Sequence, residues 1–337
     1  MKFCGIDLHS SNSVVVVTNE TNEVLAHRRC PNDLPTILAV LEPHRSELAG
    51  VVVESTYHGY WLVDGLQAAG YVVKLANTVA MRPDDGLKHR DDADDAAHLA
   101  HLLRLGILPT GYVHPPAERA LRDLGRKRIQ WVRGRTQQVL AVENIVARQR
   151  GSRLSSNAIK RLTPEGVAEW GLGADVTLAL QTNVAMIGEF TVQIARLEQR
   201  LREGVKPREE HALLRTVPGI GETLATIIQL EVGDIARFPG PGNFASYARC
   251  VDSARYSNGK KKGAGNTKNG NAYLVWAFVE AANFARRFST EAKRFFDRKK
   301  AKTNAVVATK ALAHQLARAC YPILKEKQPF DVKRCFS

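Results

Sequence analysis

Two short apolar runs, Phe3-Cys4-Gly5-Ile6-Asp7 and Gly50-Val51-Val52-Val53-Glu54, each close on a single carboxylate. A run of this kind reads as a strand buried for most of its length, with its acid at the C-terminal edge. Around them the pattern alternates. Residues 2–7, 13–18 and 24–29 read as three strands, the last two joined by the turn Asn19-Glu20-Thr21-Asn22-Glu23, which predicts an antiparallel meander. A helix follows over 33–41, with Asn32 or Asp33 at its cap, then the fourth strand at 50–54. A helix over 60–69 ends at Gly70, a fifth strand covers 71–76, and a helix covers 92–105 with Ala96, Leu99, Ala100, Leu102 and Leu103 on its apolar side. If the first and fourth strands pair, Asp7 and Glu54 become neighbours.

This succession of three antiparallel strands, helix, strand, helix, strand and helix is the order of the α/β ribonuclease-H-like (RuvC-like) nuclease fold. The pattern changes near residue 116. Residues 117–150 and 175–203 have helical periodicity, few glycines and many Arg, Gln and Glu, with the polar segment 151–157 beginning the stretch between them. They read as a coiled-coil-like helical hairpin or as an ordinary helical subdomain. From about 208 the chain is mostly α-helical and basic. The expected domains are 1–112, a helical linker over 113–207, and 208–337.

The 337 residues carry a formal net charge of +14, which favours a polyanionic partner because Lys and Arg displace condensed counterions from a phosphate backbone. No apolar run approaches the roughly 18 residues of a membrane span, so no membrane partner is expected. The five cysteines are scattered without CxxC spacing, against a disulfide framework or a structural zinc site. The first residues enter a strand without a signal-peptide pattern, so a cytoplasmic protein is expected.

The chemistry-bearing residues are acids first. Asp92 and Asp95, at i and i+3, project from one helix face, and Asp91 and Asp94 form a second pair at that spacing. Asp92 and Asp95 are preferred because Asp95 directly precedes the buried side of the helix. Together with Asp7 and Glu54 they supply the oxygen ligands that hard divalent cations such as Mg²⁺ require, and two such ions can clamp the attacking and leaving oxygens of a phosphodiester. In Val217-Pro218-Gly219-Ile220-Gly221, Gly219 and Gly221 flank a turn into a helix, either a phosphate-holding helix-hairpin-helix or a tight interhelical turn. Residues 253–275 form a Gly-, Asn- and Lys-rich loop. Within it Ser257 is a candidate nucleophile, with Lys260, Lys261, Lys262 and Lys268 available to offset phosphate charge. On composition Ser253 is an equal candidate.

Five segments carry a resemblance: Gly5-Ile6-Asp7-Leu8-His9; Val53-Glu54-Ser55-Thr56-Tyr57 with Tyr60-Trp61-Leu62-Val63-Asp64-Gly65; Asp92 to Ala96; Val217 to Gly221; and Ser257-Asn258-Gly259-Lys260-Lys261-Lys262-Gly263, continuing through Gly265 to Asn271 and Trp276-Ala277-Phe278. In this order they resemble the IS-one-ten family of insertion-sequence transposases, the DEDD transposases, and most closely its IS-eleven-eleven subgroup. The resemblance implies a RuvC-like domain, a coiled-coil linker and a C-terminal transposase domain. It implies that Asp7, Glu54, Asp92 and Asp95 hold the metal and that Ser257 attacks DNA and becomes covalently linked to it. Arg249-Cys250-Val251-Asp252 departs from the Gly-Leu-x-Pro of many members. Ser257 is preferred over Ser253 because it directly precedes Asn258-Gly259 and the lysines. The resemblance further implies double-stranded donor and target DNA, a non-coding bridge RNA that specifies both, and a dimer to tetramer whose site joins the acids of one subunit to the serine of another. Against this stand a junction endonuclease that uses water, and a non-catalytic RNA- and DNA-binding descendant of a transposase.

Overall fold

The computed structural model describes residues 1–54, 56, 58–78, 80–81, 92–205, 208–251, 254–264 and 269–336; at 254–256, 261 and 264 it describes the backbone only. Two compact units divide the chain, Met1–Pro116 and Ala117–Ser337.

The first unit is built on strands β1 (Lys2–Leu8), β2 (Asn12–Asn19), β3 (Val24–Pro31), β4 (Leu48–Glu54), β5 (Val73–Ala76) and β6 (Thr110–Gly111), with helices α1 (Leu34–Leu41), α2 (Tyr60–Ala68) and α3 (Asp92–Arg104). The sheet order is β3-β2-β1-β4-β5-β6. The meander β1-β2-β3 is antiparallel, while β1 with β4 and β4 with β5 are parallel. Parallel strands must be covered on both faces, and both faces are. Cys4, Ile6, Leu8, Val51 and Val53 pack with Ile37, Leu41, Leu62, Val63 and Leu66 of α1 and α2. Phe3, Val52 and Ala76 pack with Leu99, Ala100 and Leu103 of α3. Alternation along β1 therefore sends its even residues to α1 and α2 and its odd residues, Asp7 among them, to α3.

Close approach fixes α3. A Cβ on Gly5 would lie 1.9 Å from the Ala96 carbonyl oxygen and 2.9 Å from the Ala100 nitrogen. Only glycine lets the helix backbone settle on the strand backbone here.

Among its described residues the second unit is helical apart from one hairpin. Helix α4 (Pro116–Arg150) spans 35 residues, and after the short helices α5 (Ser156–Ile159) and α6 (Pro164–Ala168) the 32-residue α7 (Ala174–Val205) returns beside it. The return is antiparallel: Arg128 pairs with Glu198 at 2.7 Å, and Trp131 meets Phe190. Val139, Val142 and Val146 pack with Leu180, Val184 and Ile187, closed by Ile159 and Val167. Then follow α8 (Glu209–Leu214), α9 (Glu222–Val232), α10 (Pro241–Tyr247), strands β7 (Ala254–Ser257) and β8 (Lys260–Ala264), α11 (Ala272–Phe288), α12 (Thr290–Lys302), α13 (Ala305–Glu326) and α14 (Val332–Phe336). Phe244, Phe278, Ile228, Leu312 and Leu316 anchor their shared core.

The expected loop over 253–275 is corrected in part: it contains an antiparallel β-hairpin. Tyr256 faces Lys261 and Ser257 faces Lys260, leaving Asn258 and Gly259 as a two-residue turn. Both have positive φ, 49° and 71°, which suits the right-handed twist of the flanking strands and which Asn-Gly adopts readily.

Candidate active site

The acids converge because strand register and helix placement agree. Ile6 pairs with Val53 in the parallel β1–β4 ladder, so the next residues of the two strands, Asp7 and Glu54, leave the sheet side by side. Both point to the α3 face. Gly5 holds α3 against β1 one turn further in, so the first turn of α3, bearing Asp92 and Asp95, lies over the same edge. The helix N-terminus favours carboxylates through its aligned peptide dipoles.

Asp7 is buried and Glu54 half-buried. Glu54 is pushed up to about 7, chiefly by burial, then by its hydrogen bond with Asp7 and by the charges of Asp7 and Asp95. Two carboxyls that share a hydrogen bond in a sheltered site cannot both carry full charge without a cation. Asp92 sits at the outer rim, where a hydrogen bond from Arg29 is the main cause holding it below the usual carboxylate range. Asp94 and Asp95 are both exposed; Asp91 lies outside the described residues.

His9 joins the acids, and the sequence reading gave it no role. Its Nε2 lies 3.0 Å from Asp7 Oδ2 and 3.3 Å from Asp92 Oδ1. This nitrogen is shielded from water, and both contacts are ion pairs when the imidazole is protonated. Asp7, His9 and Asp92 each offer one ligand atom, all within 4.8 Å of one another. Two carboxylates and an imidazole that converge at one point form a donor set that fits a divalent cation. The loop beneath is pinned: the His9 carbonyl accepts Asn32 Nδ2 at 2.9 Å and lies 2.9 Å from His58 Nε2. Strand parity is the signal that could have found His9, since i and i+2 share a face. Arg29 was missed as well. It donates to Asn12 Oδ1 at 2.7 Å and to Asp92 Oδ2 at 2.6 Å, across 63 residues of sequence.

Ser257 lies in the second unit. It is exposed at the last position of β7, with Asn258, Gly259, Lys260 and Lys262 exposed around it. Ser253 and Lys268 lie outside the described residues, as do the side chains of Tyr256 and Lys261. The start of α11 is firmly held. Asn271 Nδ2 donates to Glu231 Oε2 at 2.6 Å, and its Oδ1 caps α11 by accepting from the Tyr273 and Leu274 nitrogens. Arg126 grips the buried Glu231 in a two-pronged pair at 2.6 and 2.8 Å.

Gly219 and Gly221 have different surroundings. Gly219 has φ +85°, and a Cβ there would lie 2.1 Å from the Ala281 carbonyl oxygen, so this glycine admits the α11 backbone. Gly221 caps α9 with open space about it, and Glu222, in the first turn of α9, pairs with Arg202 at 3.0 Å. On α12, Lys293, Arg294, Arg298, Lys299, Lys300 and Lys302 are exposed. Among the described residues no helix is long and apolar enough to cross a membrane.

An α/β sheet of this order, with acids at adjacent ends of β1 and β4 and on the covering helix, is consistent with the RuvC-like DEDD class of nucleic-acid enzymes. The family model of IS110-type DEDD transposases, described as Transposase, matches residues 4–148, and a second, described as Transposase IS116/IS110/IS902 family, matches residues 211–297. Together they cover more than half of the chain, which belongs to the IS110 (IS-one-ten) family of transposases. A Sinorhizobium fredii (strain NBRC 101917 / NGR234) protein, y4qE, provisionally named a transposase, is 28% identical over 231 residues. That match takes in 66% of this chain and 55% of the relative, so the chain spans about half the length of the curated protein it matches.

Proposed function

We propose that the protein is a metal-dependent, RNA-guided DNA recombinase that moves an insertion sequence through a covalent serine intermediate. The observation that carries the reading is the convergence of Asp7, His9 and Asp92 within 4.8 Å, with Glu54 hydrogen-bonded to Asp7. Asp7, Glu54, Asp92 and Asp95 would hold Mg²⁺, with His9 at its edge. When bound, the cation supplies charge neutralisation at the scissile phosphate.

The protein's own groups do the rest. Ser257 attacks phosphorus through Oγ. The Oγ–P bond forms as the P–O3′ bond breaks, the serine proton passes to solvent, and the departing 3′ oxygen takes up a proton. The product is a 5′-phosphoserine and a free 3′-hydroxyl, and reversal onto another strand completes exchange. Lys260 and Lys262, exposed beside Ser257, stabilise the charge that develops on the phosphate. The site would be composite, with acids from one subunit and serine from another in a dimer or tetramer. The exposed bases of α12 suit the DNA and bridge-RNA backbones, and Gly221 at the start of α9 would take a phosphate.

The test is a denaturing gel of labelled element-end DNA with protein, Mg²⁺ and RNA transcribed from the flanking non-coding segment. A covalent adduct that needs Ser257, Asp7 and Glu54 is expected. Cleaved DNA without adduct would instead identify a hydrolytic junction nuclease.

A further inference from the structure

A groove on the α4–α7 hairpin plays no part in this chemistry. About 640 Å³ in volume, it is lined by one face of α4 with Phe190 of α7 and Tyr273 of α11. On α4, Arg126, Gln130, Arg133 and Gln137 recur at helical spacing, so the lining forms a continuous stripe roughly 16 Å long. Gly134 makes the floor. A Cβ there would lie 2.8 Å from Phe190 Cζ, so the ring lies against the helix backbone. Phe190 is tilted 47° against Trp131 with centroids 5.4 Å apart. At the other end the Arg126 guanidinium covers the Tyr273 ring at 4.6 Å, and Lys127 Nζ lies 5.5 Å from the centre of Trp131. Arg133 is exposed, and Asp123 is the one acid in the lining.

We propose that this groove binds a single-stranded segment of nucleic acid. Bases would lie against Trp131 and on the Arg126 guanidinium that covers Tyr273, with phosphates toward Lys127 and Arg133. Partly exposed rings alternating with cations are what an unpaired strand requires, since every base offers a face to stack and every link a charge to neutralise. A duplex keeps its base faces buried and has nothing to place on the rings. An apolar protein helix would leave the cations without counter-charge. Tyr273 lies in the first turn of α11, the helix that follows the serine hairpin in the sequence. The inference does not depend on the metal or on the reactivity of Ser257.

Fluorescence anisotropy with the full chain tests it, using labelled twelve-nucleotide oligothymidine, oligouridine and a twelve-base-pair duplex. Trp131→Ala should weaken single-strand binding about tenfold, the scale of one lost stacking contact, and change duplex binding less than about twofold. Trp131→Phe should restore most of the loss. Arg133→Gln, at an exposed position that leaves the packing intact, should lower the salt slope of single-strand binding by about 0.7, one phosphate contact. A larger loss on oligouridine assigns the groove to RNA, and on oligothymidine to DNA; either supports the proposal. Unchanged single-strand affinity in both Trp131→Ala and Arg133→Gln, or equal losses on single strand and duplex, overturns it.

Discussion

Gly5 in β1 and Ala96 in α3 meet backbone to backbone: the position of a Cβ on Gly5 lies 1.9 Å from the Ala96 oxygen. Gly5 is two residues before Asp7, and Ala96 directly follows Asp95. This one contact therefore sets how far the helix-borne acids stand from the strand-borne ones. Gly5→Ala should force α3 off the sheet and destabilise the first unit by about 2 kcal/mol or more, as overpacking of a rigid contact does. The urea midpoint reads this directly, and a midpoint equal to that of the natural protein would show that α3 is not seated by this glycine.

Glu54 makes the first unit sensitive to pH. Its proton is held more tightly in the folded state, at about 7, than in an unfolded chain, where a glutamate titrates near 4.5. The stability it contributes is complete below about 4.5 and is lost as pH rises through 7. In chelator, the melting temperature should fall between pH 4.5 and 7, and Glu54→Gln should flatten that segment. A natural protein whose melting temperature rises steadily through this window would contradict the shared Asp7–Glu54 proton.

The buried ion pair behind the start of α11 has a measurable energy. Glu231 is buried, with a side chain 2% exposed, and Arg126 is its ionic partner. Arg126→Met should cost about 3–5 kcal/mol because it strands a buried charge, whereas Arg126→Met with Glu231→Leu should recover much of the loss. Chemical denaturation of the four proteins in a double-mutant cycle checks this; additive losses would mean the pair acts independently.

The Asn258-Gly259 turn should be needed at both positions. Gly259 has φ +71°, a conformation that costs a residue with a Cβ roughly 1–2 kcal/mol. Gly259→Val should loosen the Ser257–Lys260 pairing, with faster amide exchange at β7 and β8 while the helices stay protected. Unchanged exchange at the hairpin would remove the turn from the account.

How much was legible in the sequence follows from the range of each interaction. The strands around Asp7 and Glu54, the two long helices and the α3 acids declare themselves through periodicity within ten to thirty residues. The two-residue strand β6 has no period to read. Arg29 meets Asp92, and Gly134 meets Phe190, only because the tertiary fold brings distant segments together. His9 was within reach, since parity places it beside Asp7, but a lone histidine after a strand has no signal of its own. The β7–β8 hairpin was hidden by composition: the Gly, Asn and Lys that read as a loop include the Asn-Gly pair that builds the turn.

The central claim joins the acids to Ser257 through a covalent link with DNA. The most direct measurement is the fraction of labelled element-end DNA that remains attached to protein after denaturation in Mg²⁺. The account predicts an adduct with the natural protein, none with Ser257→Ala, and none with Asp7→Asn although its hairpin is intact. An adduct that survives Ser257→Ala, or strand cleavage that proceeds in Ser257→Ala with Asp7 still required, would contradict it.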